Sequence, residues 1–287
     1  MPRQNRVTPF GELVATPARG TLMGNRGCLH DARGSVVRSW QLRRWICCLL
    51  QYRGRRRAVM TPGRYTELFF LDEATAIAAG HRPCAECRRE RFDAYRRALA
   101  GGRRQLPRAS EIDARLHTQR LTPAGSQRLH AEELDTLPDG VFVLLPDREA
   151  AYLVRGDALL AWSAAGYTAR VERPHGIVVA VLTPRLSVRA IRGGYVPDVH
   201  PSADDRMERD AGGQSSGGSP PARVAAALQA GGETESPTNR TPPSQWSTFT
   251  PPAWRLRAAR RPFCCVAFRQ SGPGGFGGSA WLYSVFP

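Results

Sequence analysis

The sequence predicts an α+β chain: a small antiparallel sheet with a cysteine knuckle and helices, then a second small α+β unit, then a disordered tail. Three observations carry this. The stretch YTELFFLDEATAIAAGHRPCAECRRERFDAYRRAL, from Tyr65 to Leu99, reads as strand, short helix, cysteine turn and second helix. Short apolar runs such as VFVLL and AYLVR recur between turn residues further on. From Asp204 the composition shifts to Gly, Ser and Pro with few periodic apolar positions. The expected divisions are residues 1–105, 106–203 and 204–287.

Taken in order, residues 1–20 contain Thr8-Pro9 and Thr16-Pro17 and read as an extended arm with turns. Thr21 to Arg26, Ser35 to Trp40 and Arg44 to Tyr52 are expected strands, with Cys28 and His30 on a Gly-bounded turn between the first two. In Tyr65 to Phe70, an aromatic-rich run, Tyr65, Glu67 and Phe69 alternate with Thr66, Leu68 and Phe70, which predicts a strand. Asp72 is an expected N-cap, Gly80 a helix stop, and Pro83 a rigid turn before Cys84 and Cys87. Phe92, Tyr95 and Leu99 then recur at helical spacing, and Gly101-Gly102 reads as a hinge. Ser110 with Asp113 resembles a capping box for a helix carrying Ile112 and Leu116. Strands follow at VFVLL, Ala151 to Arg155, Ala158 to Trp162 and Ile177 to Leu182, with Gly156-Asp157 as a two-residue hairpin turn. Thr183-Pro184 predicts an N-cap with Pro at the first helical position, and Gly193 the stop.

The chain has 287 residues, a formal net charge of +16 and a sequence pI near 10.7, and all of its basic residues are Arg. This basicity predicts association with polyanions at low salt. Seven cysteines fall at positions 28, 47, 48, 84, 87, 264 and 265, an odd number with two adjacent pairs, which makes a poor disulfide framework. The N-terminus has no apolar signal segment, and no apolar run is long enough for a membrane span. A cytoplasmic location is therefore expected, where clustered cysteines are more often metal ligands than bridges.

A C-x2-C pair on a turn that opens a helix places two sulfurs where one ion reaches both. Zinc is the leading reading. A redox dithiol and two plain buried thiols are the alternatives. Two ligands do not complete a tetrahedral site, and Cys28, His30 and Cys48 are the upstream candidates to complete it. Cys47 and Cys48 are neighbours on an expected strand, so only one faces a given side. The preferred set is Cys28, Cys48, Cys84 and Cys87, with His30 as the substitute. His81 is expected to pack or cap locally. Glu67, Asp72 and Glu73 form an acidic cluster that a nuclease site could use, but the leading reading is that Asp72 caps and Glu73 favours the helix N-terminus. No Gly-rich phosphate loop, Ser-His-Asp order or HExxH run appears, so no small-molecule substrate is identifiable. Arg43, Arg44, Arg55, Arg56, Arg57, Arg88 and Arg89, with Trp40, Trp45 and Tyr52 interleaved, suit contact with a DNA or RNA backbone; a merely solvated basic face is the alternative.

The run FFLDEATAIAAGHRPCAECRRE resembles the second half of the metal-binding domain of the Ada DNA-alkylation repair family: a phenylalanine pair, an acidic-Ala helix, an Ala-Gly step, an aromatic or His, then Arg-Pro-Cys-x-x-Cys. Residues 1–203 as a whole resemble an uncharacterised bacterial family with this Ada-like element. The resemblance implies metal binding at Cys84 and Cys87. The Ada family's other half is an upstream Cys-x3-Cys pair, which this chain lacks. The expected functions are thus a zinc-dependent nucleic-acid-binding module, a methyl-phosphotriester acceptor with Cys28 as the accepting thiol, and a structural or protein-interaction zinc module. A non-enzymatic role leads.

Overall fold

The computed structural model describes residues 1–54, 58–146 and 148–204. The disordered tail expected from 204 onward and Arg55, Arg56 and Arg57 lie, save Asp204, outside the described residues. The first sheet contains β1 (Gln4–Val7), β2 (Leu13–Ala15), β3 (Leu22–Asn25), β4 (Ile46–Leu49), β5 (Leu68–Phe70) and, after helix α1 (Glu73–Ala78), β6 (Arg82–Pro83). Its strand order is β2-β1-β5-β3-β4-β6. The β1–β5 and β4–β6 joints are parallel and the other three antiparallel, so the sheet expected as antiparallel is mixed. A parallel joint needs a long connection, and the segments between β1 and β5 and between β4 and β6 supply it.

Local polar chemistry explains where this half departs from the expected strands. The N-terminal arm is the β1–β2 hairpin, closed by Thr8 N–H donating to Glu12 O at 3.0 Å, with Gly11 at φ +77. Ser35 to Trp40 is no strand. The Asp31 carboxylate accepts the Arg33 and Ser35 N–H groups at 2.9 Å each and turns the chain, leaving one bridge between His30 and Val36. β5 begins at Leu68, three residues later than expected, because Thr66 Oγ1 accepts from Leu29 N–H at 2.8 Å and Glu67 accepts from Met60 N–H at 2.7 Å.

The second half follows as α2 (Arg89–Ala100), α3 (Ala109–Arg120), β7 (His130–Glu133), β8 (Phe142–Leu144), β9 (Ala151–Arg155), β10 (Ala158–Ser163), β11 (Gly166–Glu172), β12 (Val178–Val181) and α4 (Arg185–Arg192). Its strands form an antiparallel sheet in the order β11-β10-β9-β8-β12-β7. Both faces of its centre are buried. Val143, Tyr152, Val154 and Leu159 face α2, α3 and α4, and Phe142, Leu153 and Leu160 face the opposite way. That is why VFVLL and AYLVR are apolar throughout, without alternation. The hairpin at Gly156-Asp157 forms as expected, with Gly156 at φ +59. Two expected helix starts differ. Glu111 closes the first turn of α3 by accepting from Arg108 N–H at 2.9 Å, while Asp113 is engaged elsewhere. At α4, Pro184 is the N-cap, since Thr183 Oγ1 accepts from Phe142 N–H at 2.9 Å.

Helix α1 lies where these layers meet. All six of its residues are buried, and its sequence EATAIA keeps its sides small. Ala76 and Ala79 pack with the first sheet, Ala74 and Ala78 with Phe142 and Leu153, and Ile77 with α2 and α3. Larger side chains would hold the layers apart. The helix start is secured as expected by Asp72, which accepts from Thr75 N–H at 2.8 Å. Asp72 also accepts from Tyr167 Oη at 2.7 Å and His200 N–H at 3.0 Å. Gly101 is the left-handed C-cap of α2 rather than a hinge between independent bodies. Phe92, Tyr95 and Leu99 share one core with Leu116, Val154 and Ile191, so that core runs across position 105.

Candidate metal centre

The parallel pairing of β4 and β6 builds the site. Ile46 registers with Arg82 and Cys47 with Pro83, and Cys84 N–H donates to Cys47 O at 2.9 Å. Cys48 is therefore laid beside Cys84. Strand alternation turns Cys47 the other way, into the core with Leu68, Phe70 and Ala76. Pro83 then forces the turn, Arg88 N–H donates to Cys84 O at 3.2 Å, and Glu86 N–H reaches Cys84 Sγ at 3.4 Å. This turn brings Cys87 back over Cys84 just before α2 begins. The Sγ atoms of Cys48, Cys84 and Cys87 all lie within 4.8 Å of one another; Cys48 and Cys84 are buried and Cys87 is half-buried.

The donor set fits a soft or borderline divalent ion. With metal–sulfur bonds of about 2.3 Å, thiolates in a tetrahedral shell stand ~3.8 Å apart, a small contraction from the observed cluster. Without an ion the three sulfurs share their protons. Hydrogen bonds from Cys48 and Cys87 hold Cys84 well below the usual thiol range, and Cys48 is pushed far up, first by its hydrogen bonds to Cys84 and Cys87 and then by burial. For Cys87, the pull of Cys48 downward is outweighed by Cys84 and burial, and it is raised. Thiolate character is therefore favoured at Cys84, and an ion held by all three sulfurs would require their protons to leave.

Cys28 and His30, placed in the expected ligand set, stand outside this cluster. β3 pairs with β4 so that Met23 meets Cys48 and Asn25 meets Ile46, which carries the chain away from Cys48 before Cys28 is reached. Cys28 Sγ lies 3.5 Å from its own neighbour His30 O. The His30 ring is buried, with Nδ1 2.6 Å from Thr66 Oγ1 and Nε2 3.2 Å from Thr61 O. Both ring nitrogens are thereby occupied locally.

The expected arginine face is divided. Arg43, Arg44 and Arg89 are exposed. Arg88 is not available to a nucleic acid: its side chain is buried, donating to Glu73 at 2.7 Å and Asp198 at 2.9 Å. Burial pushes Glu73 up, but Arg88 and Arg91 outweigh it and hold the carboxyl below its usual range. Trp45 is buried as well, so of the expected stacking residues it offers no face to a base. His81 packs locally as expected, its ring centroid 5.2 Å from Trp45 and 4.7 Å from Phe70. Sequence reasoning missed Asp198. Asp198 lies 110 residues from the Arg88 that it pairs with, and no local pattern marks such a partner.

No family model, curated protein or solved structure matches this chain. Among the described residues, no helix is long and apolar enough to cross a membrane.

Proposed function

We propose that this chain is a cytoplasmic zinc-binding protein that engages nucleic acid, with Cys48, Cys84 and Cys87 as the protein's metal ligands. The single observation that carries the metal is the mutual approach of those three sulfurs. The Ada-like run that contains Cys84 and Cys87 supports zinc as the ion. Support for a polyanionic partner comes from charge: residues 32–66 contain nine arginines and no Asp or Glu. In this reading the bound ion locks β4, β6 and the start of α2 together, and the exposed arginines beside them contact phosphates.

The test has two arms. Native mass spectrometry of the purified chain is expected to find one zinc, lost on substitution of Cys84 by Ser. Binding to duplex DNA is expected to weaken with salt at a log–log slope of roughly −4, the value for about five phosphates. An apo chain with unchanged thermal stability would rule out the metal, and no retention at low salt would rule out the partner. The methyl-acceptor reading loses its expected acceptor, because Cys28 stands outside the cluster.

A further inference from the structure

Among the described residues, two buried arginines, Arg26 and Arg120, have no carboxylate within ion-pair distance. Arg26 and Arg120 are 1% and 2% exposed. Both lie against the Trp45 indole, their guanidinium carbons 4.1 Å and 3.9 Å from the ring centroid. Arg26 donates to Gly11 O at 2.9 Å, Ser39 O at 3.5 Å and His81 Nε2 at 3.1 Å. Arg120 donates to Gly80 O at 2.9 Å, Arg43 O at 2.6 Å and His117 Nδ1 at 3.1 Å. Every one of these acceptors is neutral. Among the described residues, Arg26 Nη2 and Arg120 Nε have no hydrogen-bond partner. Arg82 and Arg88 are buried too, but each holds a carboxylate, Asp113 and Glu73 respectively. Asp113, paired with Arg82, acts on Arg120 only from a distance; buried charges are ordinarily paired directly, so the two guanidiniums at Trp45 favour an anion nearby. Burial brings both guanidiniums down to about 9, the direction that an arriving anion would reverse.

The loop over this pair is itself basic. Arg38, Arg43 and Arg44 are exposed on the loop whose carbonyls the buried guanidiniums hold. Half-buried Trp40 meets the His117 ring edge-on at 4.6 Å. Because His117 Nδ1 accepts from Arg120, the ring is neutral with its proton on Nε2, a further donor. Trp40, His117 and the Arg43 carbonyl thus meet at the buried Arg120, which shares the Trp45 ring with Arg26.

We propose that Trp40, Arg43, Arg44 and His117, above the buried Arg26 and Arg120, form a phosphate-binding subsite. Its ligand is a phosphate-class anion, either a phosphodiester of a nucleic-acid backbone or a free polyphosphate. This deepens the nucleic-acid reading above and rests on it for the polymer. The buried arginines set the local field in a low-dielectric surround, and the exposed groups make the contacts.

The test titrates the full-length protein in two arms, with inorganic pyrophosphate and with a single-stranded thymidine oligonucleotide, while NMR follows the Trp40 indole and His117 ring signals. The oligonucleotide is expected to move both signals, and Arg43→Ala/Arg44→Ala to weaken its binding about tenfold, well beyond the effect of Arg89→Ala. Zinc content and circular dichroism of the variants report intact folding. Movement by pyrophosphate as well assigns the subsite to the phosphate group itself. Movement by pyrophosphate alone keeps the subsite and sinks the nucleic-acid reading. Oligonucleotide binding that leaves both signals and the double variant unaffected overturns the subsite and leaves that reading standing. No response to either ligand overturns both.

Discussion

Arg88 donates to Glu73 at 2.7 Å, tying the residue just past Cys87 to the first turn of α1. The same guanidinium reaches Asp198 at 2.9 Å, near the end of the described chain. Glu73 is fully buried and is further bonded by Arg91, Tyr195 Oη at 2.6 Å and Asp198 N–H at 3.0 Å. The cysteine turn, the central helix and the 195–198 segment are therefore joined at one carboxylate.

Removing one partner from such a network leaves the other charges buried and unpaired. Glu73→Ala is expected to cost about 3–5 kcal/mol of stability, read as a shift of the urea midpoint. Acid should act on the same group. The folded pKa of Glu73 lies below the ordinary 4.5, so its contribution is present above that value and lost as pH falls through the folded one. Midpoints that fall equally below pH 4.5 in wild type and variant would refute this.

Stability should also decline at milder acidity. Burial, then Arg26 and Arg120, hold His81 well below 6.5. It stays neutral when folded and takes a proton when unfolded, so stability falls as pH drops from about 6.5, by up to about 1.4 kcal/mol per pH unit for this group. His130, brought down to about 4 chiefly by burial, acts in the same direction. His81→Gln keeps an acceptor for Arg26 and removes one part of the slope. Urea midpoints measured at pH 7.5 and 5.5 should therefore differ less in the variant than in wild type.

Gly80 carries φ +82, and an added Cβ would stand 2.6 Å from Arg120 Cδ. Gly80→Ala is expected to destabilise by about 1–3 kcal/mol from the backbone alone, with repacking of Arg120 on top. Gly156→Ala, at φ +59 with open space around its Cβ, meets only the backbone term. Thermal melts of the two variants check the difference, and equal losses would contradict the close approach.

The cysteines should separate into two groups. Cys84→Ser and Cys48→Ser are expected to lose the metal and the large folding free energy, on the order of 10 kcal/mol, that a structural zinc supplies. Cys28→Ser and Cys47→Ser are expected to retain it, since Cys28 contacts His30 O and Cys47 faces the core. Zinc content per chain, measured after dialysis, decides between them.

Much of this protein was legible in the sequence where the determining chemistry is local. Asp72, Gly80, the C-x2-C turn and the spacing of Phe92, Tyr95 and Leu99 each act within a few residues, and they announced α1, the knuckle and α2. Strand alternation likewise confined the pair Cys47 and Cys48 to one ligand. Strand β7 went unread because HAEE is mostly polar and pairing with β12 holds it in place, whereas β11 went unread although Tyr167, Ala169 and Val171 alternate with Thr168, Arg170 and Glu172 as a strand pattern does.

Only the tertiary structure decided which distant groups meet. The parallel register of β4 with β6 selects Cys48 as the neighbour of Cys84, and the course of β3 leaves Cys28 and His30 apart. Arg88 and Arg89 are adjacent in sequence and equally basic, yet one is buried on Glu73 and the other faces solvent. Arg26 and Arg120 give no local sign that both will rest on Trp45. The reason is physical: capping, turns and periodicity are fixed by neighbours along the chain, whereas burial and ion pairing depend on which surfaces the layers bring together.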